Sequence, residues 1–250
     1  MKIALSMRFW DTISVLKLSD ASRARMIEVF SSLQGEGLRV GERQIFVRLG
    51  GCNLHCDYCD EPDTIDIPSG KVESAGFVKS AIARLDRGHR HRCVSWTGGE
   101  PLLHPAFLAP LMRWVRARGL KNYLETNGTL SAAMRALAPL CDVVAMDMKL
   151  PSSTGRATWD LHRAFLEEAP RGTFVKVVLT ARSTEAEWRR VLALLRGAQR
   201  RLPLVLQPAT AMHGADTIPP KRCLRFESMA RRVVRDVIIV PQWHHDWHLP

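Results

Sequence analysis

Two hydrophobic rhythms alternate along the chain. Short apolar runs at Gln44–Gly51, 92–97, 121–125, 142–148, 173–179 and 203–207 predict strands. Between them, apolar residues return every three or four positions. That spacing predicts helices over 72–89, 106–118, 131–139, 158–169, 184–197 and 221–234. In the first helix Val72, Ala75, Val78, Ile82 and Leu85 carry the repeat, and Phe77 and Ala81 widen its apolar face. Gly76 within that pattern could mark a later start. A short strand is expected over Ile27–Phe30 and a terminal one over 236–240. Six core strands alternating with helices predict one α/β domain with a parallel sheet.

Composition narrows the class. A chain of 250 residues with 46% hydrophobic content can bury a substantial single core. No apolar run approaches the ~18 residues of a membrane span. Met1–Trp10 lacks the apolar core and small-residue cleavage site of a secretory signal. Three of the six cysteines are clustered, which suits a reducing compartment and makes the cytoplasm the expected location. The formal net charge of +11 raises nucleic-acid binding. The arginines are scattered rather than gathered in one tract, so attraction of small anions is the milder expectation. Residues 1–25 are a basic, weakly patterned extension that either precedes a start at Met26 or packs on the core; residues 26–250 form the domain.

The chemistry concentrates in Cys52-Asn-Leu-His-Cys56-Asp-Tyr-Cys59, spaced C-x3-C-x2-C after a strand that ends in Gly50-Gly51. A closed zinc site needs four ligands. His55 and Asp57 each adjoin Cys56, which makes joint ligation awkward, and no second C-x2-C pair follows. A four-iron cluster held by three cysteines keeps one iron open for a small molecule. A zinc-stapled nucleic-acid or partner-binding protein is the rival reading. Arg48 inside a strand costs desolvation unless paired, and it can clamp a carboxylate through two parallel bonds. Gly35 and Gly37 flank Glu36 in a turn that could hold that carboxylate in place, and Gln34 offers a donor–acceptor amide.

The cysteine loop resembles that of radical S-adenosylmethionine (SAM) enzymes. Ser32-Leu-Gln-Gly-Glu-Gly37, Phe46-Val-Arg-Leu-Gly-Gly-Cys-Asn-Leu54, Cys59-Asp60 and Pro241-Gln242 together resemble the 7-carboxy-7-deazaguanine synthase (QueE) family over most of residues 26–250, and Gly98-Gly-Glu-Pro101 resembles the motif that binds the amino group of the cofactor's methionine moiety. The resemblance implies a partial (β/α)6-type barrel in the family's shortened form, with segment 236–250 closing the active site. It implies a [4Fe-4S] cluster on Cys52, Cys56 and Cys59, SAM, and Mg2+. The expected reaction is contraction of 6-carboxy-5,6,7,8-tetrahydropterin to 7-carboxy-7-deazaguanine with loss of ammonia. Another carboxylated heterocycle is the alternative substrate. Expected cofactor contacts are Tyr58, Gly98, Gly99, Glu100, Thr126, Asn127, Ser152 and Ser153. Expected substrate contacts are Gln34, Gly35, Glu36, Arg48, Lys149, Gln207, Gln242, His244 and Pro250. The family usually has threonine after Asp60 and uses it toward magnesium; this chain has Glu61, so Asp60 and Glu61 are the expected magnesium residues. A homodimer and an outside one-electron donor such as flavodoxin or ferredoxin complete the expectations, with neither membrane nor direct nucleic-acid contact.

Overall fold

The computed structural model describes residues 22–210 and 216–247. Its nine-stranded sheet comprises β1 (Arg23–Leu33), β2 (Arg43–Leu49), β3 (Lys71–Ser74), β4 (Cys93–Gly98), β5 (Lys121–Thr126), β6 (Val143–Asp147), β7 (Thr173–Leu179), β8 (Leu204–Pro208) and β9 (Val237–Ile239). The spatial order is β3-β1-β2-β4-β5-β6-β7-β8-β9. From β2 onward every neighbour is parallel, while β1 runs antiparallel to both β2 and β3. Among the described residues no pairing joins β9 back to β3, so the sheet stays open as a partial barrel.

Among the described residues eight α-helices occur in chain order: α1 (Ala75–Leu85), α2 (Pro105–Ala117), α3 (Ser131–Leu137), α4 (Pro151–Thr154), α5 (Trp159–Glu168), α6 (Glu185–Gly197), α7 (Pro220–Arg231) and α8 (Trp243–Asp246). No helix of the described residues is long and apolar enough to cross a membrane.

Strand periodicity sorts the side chains between layers. Ile45, Val47 and Leu49 on β2, Val94 and Trp96 on β4, Val144 and Met146 on β6, and Val175, Val177 and Leu179 on β7 pack into the core beneath the helices. The residues between them face the other way. There a small cluster of Cys93, Tyr123, Ala145, Phe174, Val205 and Val240 fills the space below the strand ends. The Trp188 ring of α6 stacks on Phe226 of α7 at 5.3 Å, and its indole N–H donates to the Phe226 carbonyl at 2.9 Å.

All six strands expected from the apolar runs are present. The helix expected over 72–89 is divided. Lys71–Ser74 pairs as β3 with β1, and the helix starts at Ala75 with Ser74 Oγ accepting from Phe77 N at 3.2 Å. Val72 and Phe77, counted in its apolar face, are exposed; Val78, Ala81 and Ile82 are the buried ones. The strand expected over 27–30 is part of the longer β1, which already begins at Arg23. The boundary expected after residue 25 therefore falls inside β1.

Candidate functional site

The cysteine loop hangs from two strand ends welded by backbone. Gly99 N donates to Leu49 O at 3.0 Å and Glu100 N to Gly51 O at 2.7 Å. Gly98 has φ +129°, and a Cβ there would lie 2.1 Å from Leu49 O; one on Gly99 would lie 2.2 Å from Gly51 O. Only glycine allows that approach. Gly51 N and Cys52 N donate to the carbonyls of Thr64 and Ile65 at 2.8 and 2.9 Å, which fixes where the loop leaves the sheet. Burial pushes the thiols of Cys52 and Cys59 up to about 12 and about 11, and raises Cys56 as well. Binding a metal cluster there must therefore expel protons.

Glu100 is fully buried and accepts from Leu102 N, Thr126 Oγ1 and Asn127 N at 2.9, 2.8 and 2.7 Å. Burial lifts its carboxyl to about 7 against those donors. It ties β4 to the end of β5. Asn127 Nδ2 then donates to Asn53 Oδ1 at 2.8 Å and lies 4.0 Å from Cys52 Sγ. From behind, buried His162 donates through Nε2 to Asn127 O at 3.2 Å. The α4 turn meets the loop where Asp57 N donates to Ser153 O at 3.0 Å.

A cavity of about 280 Å³ opens between this loop and the strand ends. Its wall carries polar residues from six strands: Arg48, Thr97, Glu125 with Thr126, Asp147, Lys176 and Gln207. The register sets Arg48 beside Thr97 and Asp147 beside Lys176. Lys176 pairs with Glu36 and, at 3.1 Å, with Asp147, while Lys149 reaches Asp147 at 2.8 Å. Burial opposes ionising Glu36 and Asp147. The lysines override it and hold both carboxyls below their usual range. Gln34 donates to Glu125 at 2.8 Å, and Thr97 Oγ1 donates to the other Glu125 oxygen at 2.8 Å. Asp147 Oδ1 and both ends of the fully buried Gln207 amide have no protein partner.

The C-terminal segment covers the cavity. Gln242 donates to Glu36 at 3.0 Å and accepts from Thr210 N at 2.8 Å, while Trp243 N donates to Gly35 O at 3.1 Å. A Cβ on Gly35 would sit 2.6 Å from His244 Cβ. His244 Nε2 lies 3.3 Å from Asp60 Oδ2, and Glu36, Asp60 and His244 bring ligand atoms within 4.8 Å of one another. Glu61 points elsewhere, to Arg48 at 2.9 Å, rather than joining Asp60 in that group.

Most expected site residues meet at this cavity: Gln34, Gly35, Glu36, Arg48, the three cysteines, Tyr58, Asp60, Glu61, Gly98, Gly99, Thr126, Asn127, Lys149, Gln207, Gln242 and His244. Glu100, Ser152 and Ser153 are not on its wall. Pro250 lies outside the described residues. Sequence reasoning gave Lys176, Glu125 and Thr97 no role. The signal was available for Lys176: like Arg48, it is a lone cation at an alternate position of an apolar strand. Glu28, which pairs with Arg48 at 2.8 Å, carried no such signal.

Comparison with known proteins follows the same lines. The Radical SAM superfamily profile matches residues 46–205. A 7-carboxy-7-deazaguanine synthase from Geobacter sulfurreducens is 38% identical over 242 residues, covering 88% of this chain and 96% of that protein. One from Methanothermobacter thermautotrophicus is 36% identical over 244 residues, covering 89% and 96%. Among solved structures, QueE from Escherichia coli superposes with TM-score 0.62 at 21% identity, covering 92% of this chain and 97% of that one. A radical SAM methyltransferase from Sphaerobacter thermophilus gives TM-score 0.62 at 15% identity, covering 86% and 77%. The structural likenesses speak to the fold.

Proposed function

Because the chain belongs to the 7-carboxy-7-deazaguanine synthase family of radical SAM enzymes, we propose that it contracts 6-carboxy-5,6,7,8-tetrahydropterin to 7-carboxy-7-deazaguanine with release of ammonia. The observation that carries this reading is the cavity itself. Three cysteines on its wall share one space with a polar row that includes an unpaired Asp147 oxygen and an unpaired Gln207 amide. Such buried groups call for a ligand rich in donors and acceptors. An aminopyrimidinone ring with a carboxylate is such a ligand.

The residues fit a cluster that keeps one iron open, with Cys52, Cys56 and Cys59 as its holders. When bound and reduced, the cluster and SAM together supply a hydrogen-abstracting organic radical. The chain's own part is placement. Glu36, kept ionised by Lys176, accepts from ring N–H groups, and Gln207 and Gln242 read the remaining donor–acceptor edge. Arg48 and Lys149 face the carboxylate. Gln242 and His244 close the space above and exclude water. Mg2+, which takes oxygen ligands, would be held by Asp60, with Glu61 turned away onto Arg48. An outside one-electron donor of the flavodoxin or ferredoxin kind, two copies of the chain as the working unit, and action in the cytoplasm belong to the same reading.

The test uses anaerobic protein with its cluster reconstituted, reductant, SAM, Mg2+ and the tetrahydropterin acid, with products followed by mass spectrometry. Appearance of 7-carboxy-7-deazaguanine supports the reading. Cleavage of SAM without that product rejects the substrate and keeps the radical chemistry.

A further inference from the structure

We propose that Glu61 sets how tightly a carboxylated ligand binds by standing on Arg48 in the place of the ligand's carboxylate, so that such a ligand binds only by displacing it. This rests on the functional reading above, in which the ligand carries that group.

Arg48 lies on the cavity wall with its side chain only 11% exposed. It meets two carboxylates of its own chain. Nε donates to Glu28 Oε1 at 2.8 Å, and Nη1 lies 2.9 Å from Glu61 Oε1. A guanidinium offers two edges that can hold a carboxylate bidentately, and here both edges have a carboxylate against them.

The two are held differently. Glu28 sits on β1, directly across the antiparallel register from Arg48, so the sheet fixes it. The guanidinium also lies 5.4 Å from the centre of the Phe30 ring, which sets its plane. Glu61 belongs to no strand. It follows the cysteine loop and leads into the single turn Pro62–Thr64, where its carbonyl accepts from Thr64 N at 3.0 Å and Thr64 Oγ1 at 2.7 Å. The two side chains are about equally exposed, 41% for Glu28 and 38% for Glu61, so exposure does not separate them. Position does: Glu61 lines the cavity and Glu28 does not, so Glu61 is the partner that a ligand entering the cavity meets and exchanges with.

Binding of a carboxylated ligand is then a contest for one edge of Arg48. A ligand of the same ring without the carboxylate leaves Glu61 where it is. Neutralising Glu61 should therefore tighten the first ligand and leave the second unchanged.

The test titrates 7-carboxy-7-deazaguanine and 7-deazaguanine into the SAM-loaded, unreduced holoenzyme by calorimetry. The proteins are wild type, Glu61→Gln and Asp63→Asn. Asp63 is an exposed carboxylate two residues along the same turn, so its variant controls for general charge. Iron content and SAM affinity confirm that each site is intact. Should Glu61→Gln lose its cluster, Glu61→Thr reads the same contrast. The expected result is that Glu61→Gln binds 7-carboxy-7-deazaguanine at least about fivefold tighter, with 7-deazaguanine within about twofold of wild type and Asp63→Asn without effect on either. Equal tightening of both ligands, equal effects of the two variants, or no tightening overturns the proposal while the functional reading stands. If neither ligand binds wild type, the functional reading fails and the proposal fails with it.

Discussion

Single buried residues hold this site together, and two of them make the physics measurable. Lys176 lies between Glu36 and Asp147 with its side chain 12% exposed. Replacing it by methionine leaves two carboxylates facing each other, with Lys149 beside Asp147 and His244 beside Glu36. Removing one partner from a buried pair typically costs about 3–5 kcal/mol. Lys176→Met should therefore lower the melting temperature by roughly 6–20 °C at this chain length. Adding Glu36→Gln should return part of that loss; a strictly additive double mutant would show that the pair is not coupled. His162 makes the second case. Burial holds its pKa at about 4, below the ordinary 6.5, so folding keeps the ring neutral. Its contribution is complete above pH 6.5 and is lost as pH falls toward 4, because the unfolded chain takes up the proton first. Between pH 7 and pH 5 that amounts to about 2 kcal/mol. His162→Gln keeps a donor for Asn127 O and removes the titration. Urea denaturation under argon should show wild type losing about 2 kcal/mol more than the variant over that interval; parallel pH profiles would rule the mechanism out.

At the scale of elements, the α6 cap reaches further than its own helix. Thr184 and Glu187 form a capping box: Thr184 Oγ1 accepts from Glu187 N at 3.2 Å, and Glu187 Oε2 accepts from Thr184 N at 2.8 Å. The other carboxylate oxygen accepts from Ser152 N at 2.6 Å, which pins the start of α4. The same turn takes the Asp57 amide of the cysteine loop through Ser153 O. Glu187→Ala should cost about 1–2 kcal/mol and also weaken SAM binding severalfold in calorimetry. Thr184→Ala should cost about 1 kcal/mol and leave SAM affinity alone, since it breaks the cap and spares the link to α4. Equal loss of SAM affinity in both would sever that connection. No apolar rhythm announces such a contact. The period-two pattern made Arg48 visible as a polar residue on a buried strand, and Lys176 equally so. The short turn Pro151–Thr154 is too brief to carry a period, and β3 was absorbed into the neighbouring helix because Val72 fits either rhythm. Glu28 and Glu61 became partners of Arg48 only through antiparallel pairing and loop path, neither of which a linear pattern encodes.

The whole molecule is a parallel sheet extended at one edge by β1 and β3, and that edge supports the cluster loop. Arg25 stands at the junction. Its carbonyl accepts from Gly50 N at 3.0 Å, and its Nη1 donates to the carbonyls of Pro68 and Gly70 at 2.7 and 3.0 Å. Arg23, Ala24 and Arg25 pair with Ser74, Glu73 and Val72. A chain starting at Met26 would lose all of these contacts, whereas one starting at Ser22 would keep them. Each hydrogen bond is worth about 0.5–1.5 kcal/mol net, so the shorter chain should be about 2–4 kcal/mol less stable. At this size that lowers the melting temperature by roughly 4–16 °C. The loss should not stop at stability. Gly50 immediately precedes the glycine whose backbone turns into Cys52, so a released Gly50 amide loosens the entry to the loop. Anaerobic reconstitution followed by iron and sulfide analysis should give a lower cluster content for the Met26 chain than for the Ser22 chain. Equal melting temperature and equal iron would mean that β1 needs no residue before Met26 and that the sheet edge and the cluster loop are independent.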